Sequence, residues 1–94
     1  MWIIYVTEDL IKKLKRRGIY KQAMKVLNDL KIMLKNDPNR TINILHRNPI
    51  VFSIGDYPVR RYRVGLGKYR LFYIILPEKK SIVFFDVKPR RKAY

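Results

Sequence analysis

The chain has 94 residues, of which 22 are Lys or Arg and 7 are Asp or Glu, for a formal charge of +15. That length suits one domain with a single modest core, and the charge makes the compact state self-repelling and calls for an anionic partner: nucleic acid first, an acidic protein second, a membrane surface a distant third. The lack of cysteine excludes disulfides, thiolate chemistry and zinc-finger spacings, and no stretch reaches the roughly 18 apolar residues of a membrane span.

Residues 1–6 lack the basic start and the length of a secretory signal, so a cytoplasmic protein is expected. Residues 2–6, aromatic and β-branched, suit a first strand. Thr7 can cap a helix whose first turn holds Glu8 and Asp9 and whose inner face carries Leu10, Ile11 and Leu14. Its last turn, Lys15-Arg16-Arg17, puts cations at the negative end of the helix dipole, and Gly18 ends it. From Tyr20 the apolar residues Tyr20, Ala23, Met24, Leu27, Leu30 and Leu34 recur at helical spacing, with Lys21, Lys25, Lys31 and Lys35 on the other side. This second helix stops near Asn36-Asp37-Pro38, and the short connection at Gly18 implies an antiparallel helix pair with a basic outer surface. Residues 37–58, broken by Pro38, Pro49, Gly55 and Pro58, offer only a candidate strand over 51–54. Strands follow over 59–64, 69–76 and 81–87, joined by Gly65-Leu66-Gly67-Lys68 and Pro77-Glu78-Lys79-Lys80 into two hairpins. The reading is a single α+β domain over 1–94, in the order β-α-α-β-β-β, with its helices on one face of an antiparallel sheet.

A four-residue turn at 65–68 sets Val64 opposite Tyr69, Arg63 opposite Arg70 and Arg61 opposite Phe72, so that Arg61, Arg63 and Arg70 share a face. Like charges opposed in a sheet cost a few tenths to roughly 1 kcal/mol per pair. Such a cluster serves something other than stability, and an anion is the fitting guest. With the second hairpin in similar register, the same face carries Phe72, Ile74, Val83, Phe85 and Val87, while Tyr62, Val64, Tyr69, Leu71, Tyr73, Ile75, Ile82 and Phe84 point the other way. Two helices cover only one of these apolar faces. A partner that is apolar and acidic, or a nucleic acid with stacked bases and phosphates, fits the other. Residues 88–94, KPRRKAY, add four cations, and Val87 opposite Arg70 would bring Arg90 and Arg91 back beside the cluster.

The run YRVGLGKYRLFYIILPEKKSIVFFDVKPRRKAY, residues 62–94, resembles the C-terminal half of the RelE toxins, in the RelE/ParE superfamily of toxin–antitoxin systems. The shared pattern is a basic strand, a Gly-containing turn, a Tyr-Arg-Leu strand start and a second hairpin. The closing segment reads Pro89-Arg90-Arg91-Lys92-Ala93-Tyr94 where the family has His-Arg-Arg-x-x-Tyr. The resemblance implies a RelE-like fold and a ribosome-dependent endoribonuclease, an mRNA interferase that cleaves messenger RNA in the A site and blocks translation. It implies a monomeric free toxin, silenced in a hetero-oligomer by an acidic, RelB-like antitoxin. By position it implies catalytic roles for Arg61, Arg63, Arg70, Arg90 and Tyr94. It further implies docking on ribosomal RNA through Lys12, Lys13, Lys15, Arg16, Arg17, Lys21, Lys25, Arg60, Lys68, Lys88 and Arg91, and antitoxin cover over Phe72, Ile74, Val83 and Phe85. No cofactor or metal is implied.

Metal-free cleavage uses the ribose 2′-hydroxyl as nucleophile on the adjacent phosphate. It needs a base, cationic donors for the transition state and an acid for the leaving 5′-oxygen. Bidentate arginines serve the second need but, keeping their protons, not the first; Arg61 and Arg63 stand where family members carry lysines. The resemblance makes Tyr94 the candidate base, since dense positive charge lowers a phenol's pKa. His46, the one histidine, lies outside the matched motif and reads as a loop residue, and Asp56 and Asp86 have no metal spacing. Two alternatives stay open: a ParE-like protein that binds DNA gyrase and cuts nothing, and a non-catalytic basic nucleic-acid-binding module, which accounts for the charge equally well.

Overall fold

A computed structural model describes residues 1–92. The chain runs β1 (Ile3–Val6), α1 (Glu8–Arg16), α2 (Tyr20–Asn36), α3 (Pro38–Arg47), β2 (Ile50–Ile54), β3 (Tyr57–Val64), β4 (Tyr69–Leu76) and β5 (Ser81–Pro89), with short 3-10 turns at Pro77–Lys79 and Arg90–Lys92. The five strands form one sheet in the order β1-β5-β4-β3-β2.

Local chemistry accounts for the helices. The Thr7 hydroxyl accepts a hydrogen bond from the Leu10 N–H at 3.2 Å, and Gly18 ends α1 at φ +71°, where a side chain would be strained. In α2 the residues Ala23, Leu27, Leu30 and Leu34 are buried at 3.6-residue spacing. The helix α3 corrects the reading of 37–58 as mostly irregular. Asp37 accepts from the Arg40 N–H at 3.4 Å and Pro38 takes the first turn, so the pair that stops α2 also starts α3. His46 therefore sits in the last turn of a helix and not in a loop.

The α+β class, with helices on one face, holds. Leu10, Leu14, Leu27, Leu30 and Leu45 form one core with Val64, Leu71, Tyr73, Ile75, Ile82 and Phe84 of the sheet. Burying side chains of this size stabilises by about 1.5–3 kcal/mol each. The sheet is mixed: β1 lies parallel to β5, with Tyr5 opposite Val83, while the other pairs are antiparallel. The helices carry the chain to the far edge, where β2 runs opposite to β1, and three antiparallel steps then bring β5 back beside β1 in the same direction.

The first hairpin has the expected register, with Val64 opposite Tyr69, Arg63 opposite Arg70 and Arg61 opposite Phe72. The second does not. Between Phe72 and Tyr73 the register slips, so that Tyr73 faces Phe84 but Phe72 faces Asp86, leaving Phe85 as an extra residue. One inserted residue turns every later side chain of the strand to the other face. Val87 accordingly points to the helix side, buried opposite Leu71, and Lys88 takes the expected place opposite Arg70.

Candidate nucleic-acid interface

The strand β2 pairs with β3 only over residues 57–60, so residues 61–64 form an open edge. At its near end the Arg61 N–H donates to the Pro49 carbonyl at 3.3 Å. Strand period then directs the Arg63 N–H to the same side. Along this edge runs a cleft of about 550 Å³ bounded by Asn48, Pro49, Arg61, Tyr62, Arg63 and Arg70, with Val26 of α2 behind it. The three arginines that the register predicted to share a face thus do converge, and they do so on a cavity.

Their settings differ. Arg63 is exposed and Arg61 half-buried, whereas Arg70 is only 7% exposed. The Arg70 Nη1 donates to the carbonyls of Gly67 at 2.7 Å and Tyr69 at 3.1 Å, bracing the β3–β4 turn. That turn needs bracing, because Gly65, Leu66 and Gly67 all have positive φ. The Arg90 N–H donates to the Lys68 carbonyl at 2.9 Å, which ties the closing 3-10 turn to the same corner. Arg90 and Arg91 are exposed there. Tyr94 lies outside the described residues.

Besides the cations the cleft is bounded by an amide, that of Asn48, and a phenol, that of Tyr62. Burial pushes the Tyr62 phenol above its usual pKa, with the Asp29 charge adding to the effect, so Tyr62 stays a proton-bearing donor. Among the described residues that bound the cleft there is no carboxylate and no imidazole. His46 lies against a separate cavity with Asp56, Tyr57 and Arg60. No group of three or more metal-binding side chains exists among the described residues. The cleft can therefore hold a phosphate and stabilise added negative charge on it.

The other residues expected to dock on RNA differ in their settings, and Lys15 and Arg17 are exposed as well as engaged. Lys12, Arg16, Lys21, Lys25 and Lys68 are exposed and Lys88 is half-buried. Others are engaged within the chain: Lys13 pairs with Asp86 at 2.6 Å, Lys15 lies over the Tyr20 ring at 5.1 Å, and Arg17 lies 6.0 Å from the Tyr69 ring centre. Arg60 points to the helix side, opposite Tyr73, and its Nη1 donates to the Asn48 carbonyl at 2.7 Å.

The face opposite the helices carries Val59, Phe72, Ile74 and Phe85 as a small second cluster with Val51. Phe72 is already covered, its ring meeting Phe52 edge-on at 6.0 Å. The face extends at both ends beyond the residues expected from the sequence. Tyr5 opposes Val83, Val83 opposes Ile74, and Phe52 opposes Val59, a row reaching both edge strands where Tyr5 is 52% and Phe52 46% exposed. The β-branched and aromatic run Ile50-Val51-Phe52 was the available signal for Phe52; the place of β1 beside β5 had none.

No protein-family model matches the chain, and no curated protein matches it. Among solved structures, a chain of the archaeal RelE–RelB complex from Pyrococcus horikoshii OT3 is similar, at 20% identity over 98% of each chain with a TM-score of 0.60. The fold is RelE-like. No helix among the described residues is long and apolar enough to cross a membrane.

Proposed function

We propose that this chain is the toxin of a type II toxin–antitoxin pair, an endoribonuclease that cleaves messenger RNA in the ribosomal A site and is held silent by an acidic antitoxin. The observation that carries the reading is the meeting of Arg61, Arg63 and Arg70 at the open β3 edge, with Arg90 tied to the same corner. The RelE-like fold supports it.

In this mechanism the 2′-oxygen attacks the adjacent phosphorus, the bond to the 5′-oxygen breaks, and a 2′,3′-cyclic phosphate remains on the upstream fragment. Arg61 and Arg63 hold the non-bridging oxygens and stabilise the extra charge of the transition state. Arg70 adds its charge to the wall of the cleft and, through its bond to the Gly67 carbonyl, fixes the turn. Tyr94, as the phenolate, takes the proton of the 2′-hydroxyl, and the leaving 5′-oxygen takes a proton from water, so that one proton is gained and one released over the step. The exposed cations of α1 and α2 supply affinity for ribosomal RNA without sequence choice. The antitoxin lies over the apolar row that includes Ile74, Val83 and Phe85 and reaches toward the arginines.

One observation favours a second reading, a binding module without catalysis: among the described residues, none bounding the cleft would accept a proton near neutral pH. Ribosomes programmed with a defined messenger separate the two. The toxin reading predicts A-site cuts, mapped by primer extension, that are absent on naked RNA; tight ribosome binding with intact messenger would support the module.

A further inference from the structure

The pole of the sheet away from the arginines, where Ile3, Ser81 and Leu76 stand in line, carries a second concavity of about 690 Å³. It lies between the start of β1 and the junction of α2 with α3. Trp2, Leu34 and Pro38 give it an apolar floor, and Lys31, Lys35 and Lys80 surround that floor with charge. None of the described residues that bound it is acidic. Lys80 is presented by a closed turn, its φ at +46° and its N–H bonded to the Pro77 carbonyl at 3.1 Å.

We propose that this groove docks an acidic amphipathic helix of a protein partner, with aliphatic side chains on Trp2, Leu34 and Pro38 and carboxylates against the three lysines. The inference stands whether or not the chain cuts RNA. An apolar floor rewards apolar side chains, which nucleic-acid phosphates do not supply. A second copy of this chain is disfavoured because a self-complementary contact would set lysine rim against lysine rim on two partners of +15 each. Lys31 and Lys35 are one turn apart, about 6 Å along α2, the interval at which a helix laid alongside presents carboxylates at i and i+4.

The chain's single tryptophan is Trp2, so its fluorescence reports this groove. The probe is a synthetic Leu/Glu peptide with leucines on one helical face, titrated into the full chain. The proposal predicts a saturable blue shift of Trp2 emission, with affinity falling about tenfold or more in Lys31→Glu/Lys35→Glu/Lys80→Glu. Arg61→Ala/Arg63→Ala should change it less than about threefold. The proposal is overturned if Trp2 does not respond, if a scrambled peptide of the same composition binds as well, or if the arginine variant loses as much as the lysine variant. An equal shift with a single-stranded RNA oligonucleotide, or a shift that tracks protein concentration without peptide, would likewise overturn it in favour of RNA or a second copy.

Discussion

Arg63 and Arg70 stand directly opposite each other across the β3–β4 pair, one exposed and the other nearly buried. Opposed like charges cost stability, and here the cost sits on the wall of the cleft. Replacing Arg63 with Thr, a strand-favouring neutral residue, should raise stability by about 0.2–1 kcal/mol. Thermal melts at low salt measure this, and the same variant should lose cleavage.

Leu66 is fully exposed at the tip of the β3–β4 turn with φ +56°. A leucine there carries backbone strain and buries nothing in return. Leu66→Asn should stabilise by roughly 0.5–1 kcal/mol, because asparagine adopts this region more readily. Chemical denaturation of the two proteins side by side checks it.

Tyr73 ties α3 to the sheet. Its hydroxyl donates to the Leu45 carbonyl at 2.7 Å and accepts from Asn48 Nδ2 at 2.9 Å. Tyr73→Phe strands that carbonyl and should cost about 1–3 kcal/mol. It also loosens the segment that carries Pro49 to the cleft. Burial raises the Tyr73 pKa well above the ordinary 10.0, outweighing the lowering effects of Asn48 and Arg60. The stability linked to this shift is present below pH 10 and is lost as pH rises above it toward the folded value, since only the unfolded chain then releases the proton. The alkaline loss should be shallower in Tyr73→Phe.

Asp86 anchors the bulge in β5. Its Oδ1 accepts from Lys13 Nζ at 2.6 Å and from the Val87 N–H at 2.8 Å. Asp86→Ala removes both contacts and should cost about 1–2 kcal/mol, only part of it screened by salt. Urea titrations at low and high salt separate the two contributions.

The sequence made legible whatever a short local rule fixes. The turn at 65–68 set the register of the first hairpin, and with it the shared face of Arg61, Arg63 and Arg70. Periodicity gave α2 and its buried leucines. Other features depend on distant partners: β1 lies beside β5 only because the β2–β5 meander returns the chain there from the far edge, and Phe85 is left without a partner across the strand pair only because β5 must match β4 on both sides of it. In α3 the signal was present but ambiguous, since Asp37-Pro38 can end one helix or begin the next. Charge counting likewise overstated the free basic surface, because Lys13 and Arg60 are held by partners far away in sequence.

The most direct test of the central claim, that the β3 edge cleft acts on the scissile phosphate, is the single-turnover cleavage rate on programmed ribosomes. Arg61→Ala and Arg63→Ala should be compared with Lys21→Ala and Lys25→Ala at equal ribosome occupancy. A fall of about 10²–10³ is expected for each arginine and of less than about threefold for each lysine. Equal, small losses across all four variants would contradict the claim.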